Sequence, residues 1–277
     1  MPWHRAGNCF TDDDLAFIEL LFENHYGITS EKKILTALRV VANSNGYHPV
    51  REYLNHLDWD RTPRVRFALH HFLGAEISDL NEELLRLFML GAVTRIFQPG
   101  CKFDMMLCLT GGQGAGKSSF FRFLAGNDEW FSDDLRRLDD ENIYRHMMGH
   151  WIIEMSEMIA TVNAKNVEEI KSFLSRQKDT YKVPYDKFPA DRPRQCVFAG
   201  TSSKLDFLPH DRSGNRRFLP IRIDPDKAEV HILANQQTSR AYFNQMWAEI
   251  MVIYRSGKYS LQLSKEASKQ LDRKSVV

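Results

Sequence analysis

The chain has 277 residues, 43% hydrophobic, 26% charged and 12% aromatic, with Lys+Arg 37 against Asp+Glu 36 for a formal charge of +1. That composition excludes a disordered, collagenous or low-complexity polymer, and the balanced charge requires any nucleic-acid contact to come from a local patch. The length suits about two domains or one large one, enough to bury roughly three quarters of the unfolded surface. Cys9, Cys101, Cys108 and Cys196 show no CxxC spacing and read as buried thiols of a reducing compartment. No apolar run reaches the ~18 residues of a membrane span, and the N-terminus lacks a signal peptide's apolar centre, so a cytoplasmic protein without membrane contact is expected.

Thr11 and the carboxylates of Asp12 to Asp14 predict a helix start, followed by Leu15, Ile18, Leu21 and Phe22 on one face and a stop at Gly27. Ser30 precedes a second helix with Ile34, Leu38 and Val41 at helical spacing, ended by a turn at Gly46. A short helix begins at Pro49, and a long apolar one runs from Asn81 to Phe97, stopped by Pro99 and Gly100. No internal repeat is present. From Phe103 the texture changes to short apolar runs bounded by turn residues: DMMLCLTG, HWIIEM at 150–155, QCVFAG at 195–200 and FLPIRI at 218–223. Helical segments separate the first three, the pattern of a parallel α/β sheet covered by helices. The expected organisation is a helical region over 1–100, an α/β core of P-loop NTPase type over 101–225 and a helical region over 226–277.

Between the first strand and the next helix lies GGQGAGKS, in which Gly111, Gly116, Lys117 and Ser118 fill every fixed position of GxxxxGK(S/T). Backbone N–H groups of Gly111, Gly112, Gln113, Gly114, Ala115, Gly116, Lys117, Ser118 and Ser119 would cradle phosphates. Lys117 would meet the β/γ-phosphates and the Ser118 hydroxyl Mg²⁺, making ATP and Mg²⁺ the expected ligands. The second strand carries Glu154, and Glu157 lies just past its end, with Ser156 where an Asp-Glu pair would have its first acid. Alternate strand residues face opposite sides, so Glu157 is favoured to orient the attacking water and Glu154 to sit beside the metal or just behind its ligands, with Ser118, Glu154 and Glu157 together the candidate metal residues. Thr201 and Ser203, at the end of the third strand, are candidate sensors of the γ-phosphate or the water. The stretch 171–194 holds seven basic residues against three acidic. Its segment YKVPYDKF reads as a hairpin mixing aromatic and basic side chains, suited to tracking a nucleic-acid backbone or simply to a solvated surface. Arg216 and Arg217 follow a Gly-Asn turn and precede the fourth strand. One of them could reach a neighbouring subunit's phosphate, an effect worth about 10³ to 10⁵ in rate, or both could form surface ion pairs. The same turn is a poor lid for a small-molecule kinase, because a strand follows it at once.

Taken together, LDWDRTPRV near Trp59, GAVTRIFQPGCKFD, the glycine-rich loop, WIIEMSEM, KSFLSRQKDTYKVPYDK, PRQCVFAGTSS, DRSGNRRFLPI and NQMWAEIMVIYRSGK near Trp247 resemble the virulence-associated protein E (VapE) family of phages and genomic islands. That family is similar to superfamily 3 helicases of the AAA+ class. The resemblance implies nucleotide and Mg²⁺ roles for Lys117 and Ser118, a catalytic Glu157 and an arginine finger at Arg216 or Arg217. It also implies a homo-oligomeric ring such as a hexamer, whose hairpins carry Lys182 and Lys187 into a central channel. With Arg192 and Arg194 from the basic stretch, these are the candidate contacts to single-stranded DNA. Ser203 stands where related proteins usually carry asparagine. No primase-like or zinc-binding module is visible, so the chain reads as a minimal version or a fragment. A DNA-dependent ATPase, acting as a helicase or replication motor alongside phage or host replication proteins, is the leading expectation. A nucleotide-dependent regulatory switch is the alternative.

Overall fold

The computed structural model describes residues 3, 10–135, 138, 143–155, 164–182, 188–203 and 217–274. Thr11 starts the first helix as its sequence predicts: its hydroxyl accepts Asp14 N at 3.3 Å while the Asp14 carboxylate accepts Thr11 N at 3.0 Å, a reciprocal cap. Helix α1 (Asp12–Tyr26) ends at Gly27, and α2 (Glu31–Ser44) follows. Both belong to the first of two compact units, Met1–Pro49.

The second unit is Val50–Val277. It opens with α3 (Pro49–Asn55), α4 (Val65–Leu73) and α5 (Asp79–Phe97), the last capped by the Ser78 hydroxyl accepting Asn81 N. Helix α4 is absent from the sequence reading, although Val65, Leu69 and Phe72 give it a buried face. Helix α5 is buried on nearly every side from Leu84 to Ile96, as a helix apolar all round must be. Then come β1 (Met106–Thr110), α6 (Lys117–Leu124), β2 (Phe131–Ser132), α7 (Ile143–Met147), β3 (Ile152–Glu154), α8 (Ala164–Leu174), β4 (Lys178–Tyr181), β5 (Ala190–Pro193), β6 (Val197–Ser202), β7 (Phe218–Arg222), α9 (Gln236–Ser256) and α10 (Lys265–Lys274).

Five strands form a parallel sheet in the order β2-β3-β6-β1-β7, and β4 pairs antiparallel with β5 outside it. The four predicted strands are present; β2, two residues long, left no trace in the sequence pattern. Every residue of β1 and β6 is buried, and alternation divides β1 between two cores. Leu107 and Leu109 face α5, α6 and α9, while Met106 and Cys108 face Val167, Ile170 and Phe173 of α8. In the first core the Trp151 and Trp247 rings lie 4.4 Å apart, and their indole N–H groups donate to Ala92 O and Leu124 O.

The compact units divide at Pro49 and Val50, about fifty residues before the expected boundary at 100. The reason is shared burial: Leu69, Phe88 and Val93 enter the same core as the sheet, and so do Trp247 and Leu271 of the C-terminal helices. No helix among the described residues is long and apolar enough to cross a membrane.

Candidate functional site

Strand β1 runs out into the glycine-rich loop where Gly111 N donates to Ser202 O at 3.1 Å. A Cβ at Gly111 would stand 2.7 Å from Ile223 Cγ1 and 2.8 Å from Ile223 O, so glycine is required there. Gly116 takes φ +77 at the position preceding α6, a conformation that glycine adopts without penalty. The turn aims the unpaired N–H groups of the helix start at the space above the carboxyl ends of β1, β3 and β6. In open parallel sheets ligands bind outside the carboxyl ends of the strands, and here β1 is flanked by β6 and β7 while the next strand in sequence, β2, lies at the far edge. Gly112, Gln113 and Gly114 are exposed around the opening, Ala115 is buried and Ser119 is half-buried.

Lys117 folds back over the loop, its Nζ donating to Gly111 O at 2.8 Å and Gly112 O at 2.6 Å. Burial pulls its ammonium below the usual lysine range, and Glu154 pushes it the other way. Glu154, at the end of β3, is fully buried. Its Oε1 accepts from Ser118 Oγ at 2.8 Å and from Thr201 Oγ1 at 2.5 Å, and its Oε2 is buried without a hydrogen-bond partner. Three chain segments distant in sequence therefore meet at one carboxylate. The orphaned oxygen and the adjacent hydroxyl suit Mg²⁺, which takes one or two protein groups and completes its shell with water and phosphate oxygens. The described residues hold no cluster of three His, Cys, Asp or Glu that would suit a more protein-rich metal site.

Burial raises the Glu154 carboxyl above its ordinary range, although the hydroxyls of Thr201 and Ser118 draw it down. A carboxyl raised in this way binds its proton more tightly folded than unfolded. Its stabilising contribution is complete below the ordinary carboxylate value and is lost as pH rises through the folded value. Glu154→Gln is expected to flatten that decline in metal-free buffer. Urea midpoints of both proteins from pH ~4.5 upward test this, and equal pH dependence would refute the assignment.

The remaining expected residues fare differently. Thr201 is buried and its hydroxyl is committed to Glu154, so it holds that carboxylate in place; Ser203 is exposed just past β6. Glu157, Lys187 and Arg216 lie outside the described residues. Arg217 donates through Nε to Asp104 at 2.9 Å. It precedes Phe218, the partner of Met106, whereas Gly111 follows Thr110, so about six residues of strand, about 20 Å, separate it from its own loop.

The expected hairpin is present as β4 and β5, with Lys178 paired to Asp191 and Arg192 lying over the Tyr181 ring at 5.0 Å. Lys182 is exposed beside Tyr181. Arg194, expected to touch DNA, does not face solvent: its side chain is 1% exposed and Asp179 grips it at 2.6 and 2.9 Å. Burying a charge requires such a partner, so Arg194 is a structural cation and not a DNA contact. A second buried arginine escaped the sequence reading. Arg95, in the apolar α5, donates to Cys196 O at 2.7 Å and Phe103 O at 2.5 Å, and an arginine inside a helix apolar all round was its signal.

Residues 54–276 match the model of the Virulence-associated protein E-like domain family. Two apo structures of the NrS-1 C-terminal region, both A form, are similar at 15% and 16% identity, with TM-scores of 0.49 and 0.50. Each match covers 80% of this chain but 54% and 53% of the other, so the chain spans about half the length of the solved structures it matches. The second match supports a shared fold. No curated protein matches the chain.

Proposed function

Because the chain belongs to the virulence-associated protein E-like domain family, we infer that it is an ATP hydrolase acting on single-stranded DNA, as a helicase or replication motor of a phage or genomic island. The observation that carries this reading is the buried Glu154, bonded to Ser118 at the mouth of a GxxxxGK(S/T) loop and holding one oxygen unpaired.

On this reading, the loop N–H groups and the start of α6 cradle the phosphates of ATP. Lys117 exchanges its two loop carbonyls for the β/γ-phosphates, and Ser118 and Glu154 are the residues that would hold Mg²⁺. Mg²⁺, when bound, neutralises charge that builds on the phosphate oxygens during in-line attack by water. Glu157 orients that water, Thr201 keeps Glu154 in place and Ser203 senses the γ-phosphate. Parallel-strand geometry keeps Arg217 far from its own loop, so an arginine of this segment completes a site by reaching across a subunit junction, which calls for a homo-oligomeric ring. Lys182, Lys187 and Arg192 of the hairpin meet the DNA backbone.

Steady-state ATP hydrolysis with and without single-stranded DNA, at low and moderate salt and with Lys117→Ala as the blank, tests the coupling. Stimulation that fades as salt rises is expected. Hydrolysis indifferent to DNA at every salt would overturn it and favour a nucleotide-dependent switch that controls a protein partner.

A further inference from the structure

Away from the glycine-rich loop, at the opposite ends of the strands, lies an open cavity of about 600 Å³. Its walls are the end of α5, the Cys101–Lys102 segment leading to β1, the last turn of α9 and the chain just beyond it. Building on the reading of DNA as the substrate, we propose that this groove, formed by Tyr254, Tyr259, Lys102 and Arg255, is a second binding site for single-stranded DNA, taking a nucleotide's base on its rings and the adjoining phosphates on its cations.

Tyr254 is braced from behind by stacking on Phe97 at 5.2 Å and stands 5.6 Å from the Tyr259 ring, whose hydroxyl accepts from Thr94 Oγ1 at 3.3 Å. Fixed rings of this kind give bases a stacking platform at little entropic cost. The lining includes Lys102 and Arg255 and no carboxylate. Lys102 has no ion pair among the described residues, and Arg255 makes one long bond, to Asn55 O at 3.3 Å. Burial holds the Cys101 thiol above its ordinary range, and burial does the same for the Tyr254 phenol. Both are therefore neutral near pH 7, and the wall presents positive charge only.

The groove is also continuous with the hairpin. Gly100 N, in the segment that forms its wall, donates to Arg194 O at 2.9 Å, and Arg194 N donates to Gln177 O at 2.9 Å at the foot of β4. From below, Arg95 fastens Phe103 O and Cys196 O. The groove wall and the foot of the hairpin that carries Lys182 and Arg192 are thus hydrogen-bonded into one piece of backbone.

Fluorescence anisotropy of a labelled oligothymidine with the full chain, without ATP, provides the test. Lys102→Glu combined with Arg255→Glu, both on exposed side chains, is expected to weaken binding about tenfold or more and to lower the salt slope by about 1.4, the share of two phosphates. Tyr259→Leu is expected to cost about tenfold, while Tyr259→Phe retains the ring and the affinity. Unchanged affinity in the charge-reversed protein would overturn the groove and leave the hairpin reading standing. Failure of the unaltered chain to bind the oligonucleotide at any salt would overturn both. If free thymidine monophosphate binds and these substitutions abolish that binding alone, the groove is a mononucleotide pocket and the strand assignment falls.

Discussion

Alanine in place of Arg216 or Arg217 is expected to slow ATP hydrolysis about 10³-fold or more, for whichever of the two reaches a neighbour's phosphates. Losing Arg217 frees Asp104 from a half-exposed ion pair with side chains 38% and 20% exposed. Pairs of that kind contribute about 0 to 1 kcal/mol, so the variant should fold and its defect be one of catalysis. The separation of about 20 Å along the strands makes a mixing experiment decisive. A subunit lacking the arginine keeps its loop, and a Lys117→Ala subunit keeps its arginine. Mixed assemblies therefore contain junctions with both parts intact and should recover a measurable share of the rate. Recovery by neither variant would argue against an arginine working across subunits.

The second large effect concerns stability. Arg194→Ala should lower the unfolding free energy by about 3 kcal/mol, because it leaves the buried Asp179 with only Arg176, 4.0 Å away, in place of its two close bonds to Arg194. The guanidinium also donates to Phe173 O at 2.6 Å and lies over the Phe173 and Phe198 rings at 4.3 and 5.3 Å. Packing and charge are thus lost together. Urea denaturation measures the loss. Removing both charges with Arg194→Met and Asp179→Leu should restore much of it, since an apolar pair of similar volume avoids the desolvation cost. A single substitution that costs under ~1 kcal/mol would show that the ion pair is not an anchor of the hairpin.

Much of this was legible in the chain's order of residue types. Thr11 with Asp14, the stop at Gly27 and the apolar runs of β1, β3, β6 and β7 are local signals, and local signals survive in sequence. The convergence of Ser118 with Glu154 and Thr201 was only half legible. Loop and strand end announced themselves, but the committed bond of Thr201 depends on β6 lying between β1 and β3, which periodicity does not encode. Arg194 misled for a related reason. Arg192 shares its face by alternation and stays half-buried at the hairpin, whereas Arg194, just past β5, is drawn in by Asp179 and Phe173 O, contacts that residue spacing does not encode. The boundary moved from residue 100 to Pro49 because α4 and α5 bury against strands that follow them in sequence, a long-range contact with no local signature.

The two outer strands of the parallel sheet carry a consequence for assembly. Strand β2 is two residues long, and β7 has Pro220, which offers no N–H, at its centre. Neither margin presents the long, regular row of backbone donors and acceptors on which another chain's strand could add. Strand addition is therefore blunted at both margins of this sheet, and a partner that meets either one has to do so through side chains, a kind of contact that loosens and re-forms more readily than a shared ladder.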